Sequence, residues 1–498
     1  MSPLHKRTTE WVLLLSVILL CSLIRFRLRE MPLERDEGEY AYAGQLMLQG
    51  IPPYQFAYNM KLPGTYVAYA GILAAFGESA TAVHLGLLIV NVATILLVAL
   101  IGRRLFGTTG ALCAGAAYAV LSTSPSVLGF AAHATHFVML AAAGGFLLLL
   151  ESEGKPGWLL ASSGALFGTA LTMKQPGAAF VLFGIVVLLA VRAQKRALAA
   201  YLTGAAAPLI LMSLLLWRAG VFDKFWFWTV SYGSQYGSIL SPWNGLLMLA
   251  GNLPGVVGAA LLLWALAAAG LYTLRGQNLL LLGSFLIFSF LAVSAGFYYR
   301  NHYFILLLPA LALLAASAVD AMKQRGWGKP ALVAVALACA LPLAYNNAYL
   351  FRMSPAQAAA TSYGQNPFPE AVRVSEFLRQ HTPNDAKIAV LGSEPEIYFY
   401  SSRHSATGYI YTYGLMEPQK YARRMQDEMI GEIEASRPEY FVYVKSHWSW
   451  LQDERSDTHI FDWAQQYLAA QYEPLEPHVP SGKLIVFRRK MDMSAQGH

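Results

Sequence analysis

Trp11-Val12-Leu13-Leu14-Leu15-Ser16-Val17-Ile18-Leu19-Leu20-Cys21-Ser22-Leu23-Ile24 is an uncharged apolar run, and the charge-dense Leu33-Glu34-Arg35-Asp36-Glu37-Gly38-Glu39-Tyr40 follows almost at once. With Lys6 and Arg7 ahead of it, the run has the outline of a signal peptide, but Arg25, Arg27 and Arg29 stand where a small-residue cleavage site belongs. Cys21 follows Leu20, not the small residue of a lipoprotein signal. Residues 11–28 therefore read as a first transmembrane helix whose terminal arginines snorkel. The acids behind it stand at a membrane edge.

The rest of the chain repeats this apolar character. Its 498 residues are 56% hydrophobic and 13% charged, with a mean hydropathy of +0.42. Soluble domains carry about 25% charged residues. A cytosolic enzyme, a disordered chain and a nucleic-acid binder are excluded, and the net charge of +7 reports topology. Cys21, Cys113 and Cys339 lie in apolar runs, which supports neither a disulfide framework nor a thiolate metal site.

Further runs long enough to span lie at about 80–102, 110–128, 134–150, 198–217, 253–274, 279–297, 303–319 and 330–349. The stretch from Trp158 to Val191 is broken by Met173-Lys174-Gln175-Pro176-Gly177, which cannot face lipid, so it reads as two short helices and a turn. About eleven spans result. Basic loops choose their sides: Lys6, Arg7, Arg103, Arg104, Lys155, Arg192, Lys195, Arg196, Arg275, Lys323, Arg325 and Lys329 share one face, which sets the N-terminus inside. Residues 29–79, His133, His136, Lys174, 218–252, Arg300, His302 and the tail fall outside. Arg25, Arg27 and Arg29 conflict with this assignment and are outvoted. Gly64–Phe76, short and carrying Tyr66 and Tyr69, suits a helix at the outer interface.

Composition changes near residue 352. The spacing predicts helices over Pro369–His381, Glu417–Ser436 and Thr458–Ala470, alternating with strands Lys387–Leu391, Tyr440–Val444 and Lys483–Arg488. The expected fold is a polytopic α-helical membrane protein: residues 1–351 form the membrane unit, with outer loop 29–79, and residues 352–498 form an α/β domain on the outer side.

Candidate chemistry gathers on that outer face. Asp36 and Glu37, just ahead of a helix expected over Glu39–Gln49, suit a metal, a general base, or a solvated loop balancing nearby arginines. Glu39, Tyr40, Tyr58 and Asn59 belong to the same substrate-facing loop. Lys61 suits a phosphate or ordinary snorkelling, and Lys174 in an outer turn calls for an anionic partner. Arg300, His302 and Tyr303 add phosphate-capable donors, or serve as an interfacial anchor. His133 and His136 could join Asp36 and Glu37 around a divalent ion, or be structural. Trp226, Trp228 and Tyr232 read as interface belt, with a sugar platform as the alternative. An acid pair opposite a phosphate clamp suits group transfer from a phosphate leaving group. A transporter would instead place acids or broken helices near the bilayer midplane.

Residues 35–41, then Lys61-Leu62-Pro63-Gly64, Arg103-Arg104-Leu105-Phe106-Gly107, Thr172-Met173-Lys174-Gln175-Pro176 and His302-Tyr303 with Leu308-Pro309, in this order, resemble the GT-C superfamily of polyprenyl-phosphate-sugar glycosyltransferases. The nearest likeness is the protein mannosyltransferase-like branch that includes the lipid A aminoarabinose transferases. The resemblance implies inverting transfer from an undecaprenyl-phosphate-type donor to a lipid, glycan or protein at the periplasmic face of a bacterial inner membrane. It makes Asp36 the catalytic acid-base residue, Glu37 its companion, and Lys61 a lipid-phosphate contact, with Lys174 and His302 where further phosphate contacts gather. Glu39 stands where the aminoarabinose transferases carry an arginine, and Met60 replaces an acid before their lysine, so that donor sugar is not implied. A divalent metal ion varies across the superfamily.

Overall fold

The computed structural model describes residues 3–152, 157–475 and 482–490. Lys155, one of the expected inner basic residues, lies outside the described residues. Each of the expected apolar segments is helical. Helix α1 (Pro3–Arg27) leads to α2 (Arg35–Leu48), α3 (Gly64–Phe76), α4 (Ala80–Ser122), α5 (Ala134–Glu151), α6 (Gly157–Met173), α7 (Ala178–Ala190) and α8 (Lys195–Arg218). α4 covers two expected spans and kinks at Gly107, whose φ of 72° departs from the helical region. Met173–Gly177 breaks the chain between α6 and α7, as its composition requires.

One expected span is different. Residues 253–274 belong to two helices, Pro242–Gly258 and Leu261–Thr273, bent by 103°. Gly276–Val293, Asn301–Gln324 and Gly328–Tyr345 complete the set. Among the described residues seven helices are long and apolar enough to cross a bilayer, or eight with the bent pair as one.

The arginines at the end of α1 do not snorkel as a group. Arg25 is 4% exposed and donates to Asn91 Oδ1, Gly129 O and Ser122 O at 3.1, 2.7 and 2.7 Å. Arg27 donates to the carbonyls of Leu350, Met353 and Tyr349 at 3.0, 2.6 and 3.2 Å. These two cations are spent on carbonyls that have no helical partner, tying α1 to α4 and to the entrance of the tail. This accounts for their conflict with the loop-charge rule, which concerns free loop cations.

The tail folds around a five-stranded sheet ordered β2-β1-β3-β5-β4, in which β1 (Lys387–Leu391), β2 (His404–Ser405) and β3 (Tyr440–Val444) are parallel and β5 (Leu484–Arg489) is antiparallel to both of its neighbours, β3 and β4 (Tyr472–Pro474). The expected strands appear; β2 and β4 are additions too short to signal themselves. Alternation along β1 divides the layers. Ile388 and Val390 pack with helix Phe368–His381 and with Leu33, Tyr40 and Tyr66 of the segment that follows α1. Ala389 and Leu391 pack with helices Ala422–Ser436 and His459–Gln471. One hydrophobic core is thus continuous from that segment into the sheet.

Candidate active site

α2 starts four residues earlier than expected, because Glu34 caps it. The Glu34 side chain accepts from Glu37 N at 2.9 Å and Glu37 accepts from Glu34 N at 3.2 Å, a reciprocal capping box. Asp36 and Glu37 therefore lie inside the first turn. Glu37 also accepts from Ala132 N at 2.6 Å and meets His84 Nε2 at 3.1 Å, so its carboxylate joins α2 to α4 and the start of α5. It does not line the cavity beside Asp36.

The tail holds the other side of α2. Arg35 donates to Ser393 O, to Asn366 Oδ1 at 3.2 Å and to Glu394 Oε1 at 2.7 Å. Gly38 is required by close approach: a Cβ there would sit 2.6 Å from the Glu396 backbone nitrogen. Glu396 is fully buried, with both carboxyl oxygens lacking a hydrogen-bond partner. Burial, then the neighbouring Glu394, push its carboxyl well above the usual range, only partly offset by Arg35. A raised folded pKa means the native state keeps a proton that the unfolded chain gives up. Stability linked to this proton is complete below the ordinary glutamate range and is lost as pH rises through the folded value. Glu396→Gln, which cannot ionise, is expected to match the wild-type apparent melting temperature at pH 5 and exceed it at pH 8. A lower melting temperature at pH 8 would show that the charged carboxylate is needed.

Asp36 faces a cavity of about 200 Å³ lined also by Tyr58, Asn59, Lys61, Lys174, Arg300, His302 and Tyr303. Loops distant in sequence meet here. Lys61 Nζ lies 2.7 Å from Asp36 Oδ1 and 2.6 Å from Glu39 Oε2. Glu39, fully buried, also accepts from Tyr66 OH at 2.6 Å and Asn59 Nδ2 at 2.9 Å. It is an anchor for Lys61 and not a cavity wall, while Tyr40 lies beneath the same ammonium, 4.6 Å from ring centre. Burial pushes the Asp36 carboxyl up, but Lys61, His133 and His302 more than offset it and hold it well below the usual range. Lys61 is held above the ordinary lysine range: burial lowers it, and Asp36 and Glu39 outweigh that.

Lys174 Nζ sits 4.1 Å from the Tyr303 ring centre and Arg300 5.4 Å from that of Tyr298. Neither is ion-paired with a carboxylate among the described residues. Burial lowers the Lys174 ammonium, only partly offset by Tyr303 and Asp36. Two unpaired cations beside a carboxylate leave room for an anion.

The imidazoles of His133 and His302 stack 4.0 Å apart. His133 Nδ1 is 3.6 Å from Glu34 Oε1 and 3.7 Å from Asp36 Oδ2, too far for hydrogen bonds, and both its ring nitrogens are buried without partners. Asp36, His133 and His302 place ligand atoms within 4.8 Å of one another. The metal set read from the sequence is corrected accordingly: His302 replaces Glu37, which His84 and Ala132 occupy, and His136, which lies outside the cluster.

The sequence reading missed the tail's share of the cavity. Tyr409, Tyr411 and Tyr413 line it, and Tyr411 OH donates to Asp36 Oδ1 at 2.8 Å. Gly408-Tyr409-Ile410-Tyr411-Thr412-Tyr413-Gly414 carried the signal, a period of two with every second residue aromatic. Trp228 and Tyr232 line the same cavity and are not interface belt, because the π-helical turn Phe227–Tyr232 rotates them inward; Trp226 remains 53% exposed.

With that geometry, similarity to known proteins can be placed. Residues 62–217 match the family model of the dolichyl-phosphate-mannose-protein mannosyltransferases. ArnT from Cupriavidus metallidurans bound to undecaprenyl phosphate is similar with a TM-score of 0.64 and 18% identity, over 97% of this chain and 99% of that one. The chain shares that fold. A second structure, the Archaeoglobus fulgidus oligosaccharyltransferase in complex with Zn and sulfate, is similar with a TM-score of 0.54 and 14% identity, covering 94% of this chain and 72% of that one. Arabinofuranosyltransferase AftD from Mycobacteria gives a TM-score of 0.54 and 12% identity over 96% of this chain and 40% of that one. No curated protein matches the sequence. The apolar helices, in the fold shared with ArnT, make this a multi-pass membrane protein.

Proposed function

We propose that the chain is an inverting glycosyltransferase that moves a sugar from a polyprenyl-phosphate donor, of the undecaprenyl-phosphate type, to a lipid, glycan or protein acceptor. One observation carries this reading: Asp36 shares a single cavity with Lys61, Lys174 and Arg300, and the last two have no anionic partner among the described residues. Asp36 takes the proton of the acceptor hydroxyl or amine as that atom bonds to the sugar's anomeric carbon. The bond from that carbon to the phosphate oxygen breaks, and Lys174, Arg300 and Lys61 stabilise the departing phosphate. Glu37 serves by fixing the first turn of α2. The reading places the site and the tail on the periplasmic side of a bacterial inner membrane, in keeping with the loop charges.

The chain purified in nanodiscs and supplied with a panel of polyprenyl-phosphate sugars tests this, with release of free polyprenyl phosphate followed by mass spectrometry. Sugar-specific release is expected. A chain that neither binds nor cleaves any of these donors is not such a transferase.

Asp36, His133 and His302 also suit a divalent ion such as zinc, since two imidazoles and a carboxylate are a common ligand set. The unpartnered ring nitrogens of His133 favour this fit. Such an ion would act as a Lewis acid toward a phosphate oxygen. About one metal ion per chain is expected by elemental analysis after equilibration with zinc, and none in His302→Ala. Equal metal content in the two proteins would remove this site.

A further inference from the structure

The tail's tyrosine row has a construction beyond what wall-building needs. Residues 408–412 form an irregular segment that leads into the helical turn Tyr413–Met416, and Ile410 and Thr412 are fully buried. Tyr409, Tyr411 and Tyr413, which alternate with them in sequence, border the cavity. The segment is pinned along its length: Gly408 N donates to Glu432 Oε2 at 2.9 Å, Gly408 O accepts from Tyr58 N at 2.7 Å, and Thr412 N donates to Ser393 Oγ at 2.9 Å. The rings of Tyr411 and Tyr413 stand edge to face, 5.1 Å apart and at 80°. Tyr413 OH is satisfied by Trp448 O at 2.8 Å, and Tyr411 OH by Asp36, so both rings are held from their far ends.

Rigid aromatic faces beside hydrogen-bonding groups suit a ligand with an apolar C–H face and a rim of hydroxyls. An acyl chain would not use Asp36 or the tyrosine hydroxyls, and a bare phosphate would not use the rings. At about 200 Å³ the cavity is smaller than the ~300–1,000 Å³ of drug-sized sites and has room for one sugar ring. Resting on the transferase reading above, we propose that Tyr411 and Tyr413 of the C-terminal region form a platform for a single sugar ring, so that the substrate site is incomplete without that region. The ring belongs to the donor's sugar or to a saccharide acceptor. Tyr413 supplies a ring face, and Tyr411 positions Asp36 against the bound sugar.

The full chain in nanodiscs is titrated with methyl glycosides of hexoses, N-acetylhexosamines and pentoses, read by saturation-transfer NMR, and separately with undecaprenyl phosphate. Wild type is expected to give transfer to the ring C–H protons of at least one glycoside. Tyr413→Phe, which keeps the face, should retain this binding, and Tyr413→Ala should weaken it about 10-fold. Undecaprenyl phosphate should bind all three proteins alike. Unchanged glycoside binding in Tyr413→Ala, or a Tyr413→Phe protein as weak as Tyr413→Ala, overturns the platform. Wild type that binds undecaprenyl phosphate but no glycoside also overturns it, while leaving the transferase reading in place; wild type that binds neither takes both down. In turnover, Tyr413→Ala should raise KM about 10-fold for the substrate that carries the ring. A rise for the donor alone puts the ring on the donor, a rise for the acceptor alone puts it on the acceptor, and a rise for neither overturns the proposal.

Discussion

Asp36→Asn is expected to lower sugar transfer by about 10²–10⁴-fold, the range for removing a positioned general base, while the protein keeps its apparent melting temperature to within a few degrees. The separation of the two effects follows from the contacts. An amide oxygen at Oδ1 still accepts from Tyr411 OH, and Lys61 keeps its 2.6 Å contact with Glu39. The capping box that starts α2 uses Glu34 and Glu37, so the helix loses nothing. What disappears is a carboxylate that Lys61 and the two histidines keep ionised and ready to take a proton. The measurement is polyprenyl phosphate release by wild type and variant on the same donor, alongside thermal unfolding. Full activity in Asp36→Asn would end the mechanism as stated.

Lys61→Met is expected to damage folding as well as transfer. Asp36 and Glu39 side chains are 13% and 1% exposed, and Lys61 is the cation within salt-bridge distance of both. Removing one partner of a buried ion pair costs about 3–5 kcal/mol, because the remaining charge stays desolvated. The direction with pH follows. Without the ammonium the folded-state pKa values of both carboxyls rise, so protonation relieves the penalty and the loss is smaller at pH 5 than at pH 8. Adding Asp36→Asn to Lys61→Met should recover part of the stability, a coupling that a double-mutant cycle measures directly. A Lys61→Met protein as stable as wild type at pH 8 would mean that solvent screens the pair.

Much of the fold was legible because a bilayer demands long apolar segments and leaves few alternatives. The turn at Lys174 was legible for the same reason, since Lys-Gln-Pro-Gly cannot face lipid. The bend between Pro242–Gly258 and Leu261–Thr273 was not, because nothing in Gly258-Ala259-Ala260-Leu261 is less apolar than a helix interior. Within the site, Asp36, Lys61 and Lys174 could be picked out as charges stranded on the outer face. The role of Glu37 was not readable, because Glu34 is not one of the usual N-cap residues Ser, Thr, Asp and Asn, so the Glu34-to-Glu37 spacing does not signal a capping box. His302 in place of His136 was beyond local reasoning: the choice depends on which loop folds over Asp36, and sequence spacing favours the nearer histidine. Tyr411 lies 375 residues from the acid it touches.

That separation sets a clock on biogenesis. The clasp of Arg35 by Glu394 joins residues 359 apart in sequence, and the tyrosine row comes later still. At a synthesis rate of about 5–20 residues per second, α2 spends roughly 20–70 s emerged and inserted before its second wall exists. Through that interval Asp36 has Lys61 for company but neither Tyr411 nor an enclosed cavity. A chain whose tail is not yet made therefore lacks the tyrosine beside Asp36 and the tail's side of the cavity, so the full set of groups around Asp36 forms only after the last helices and strands are in place.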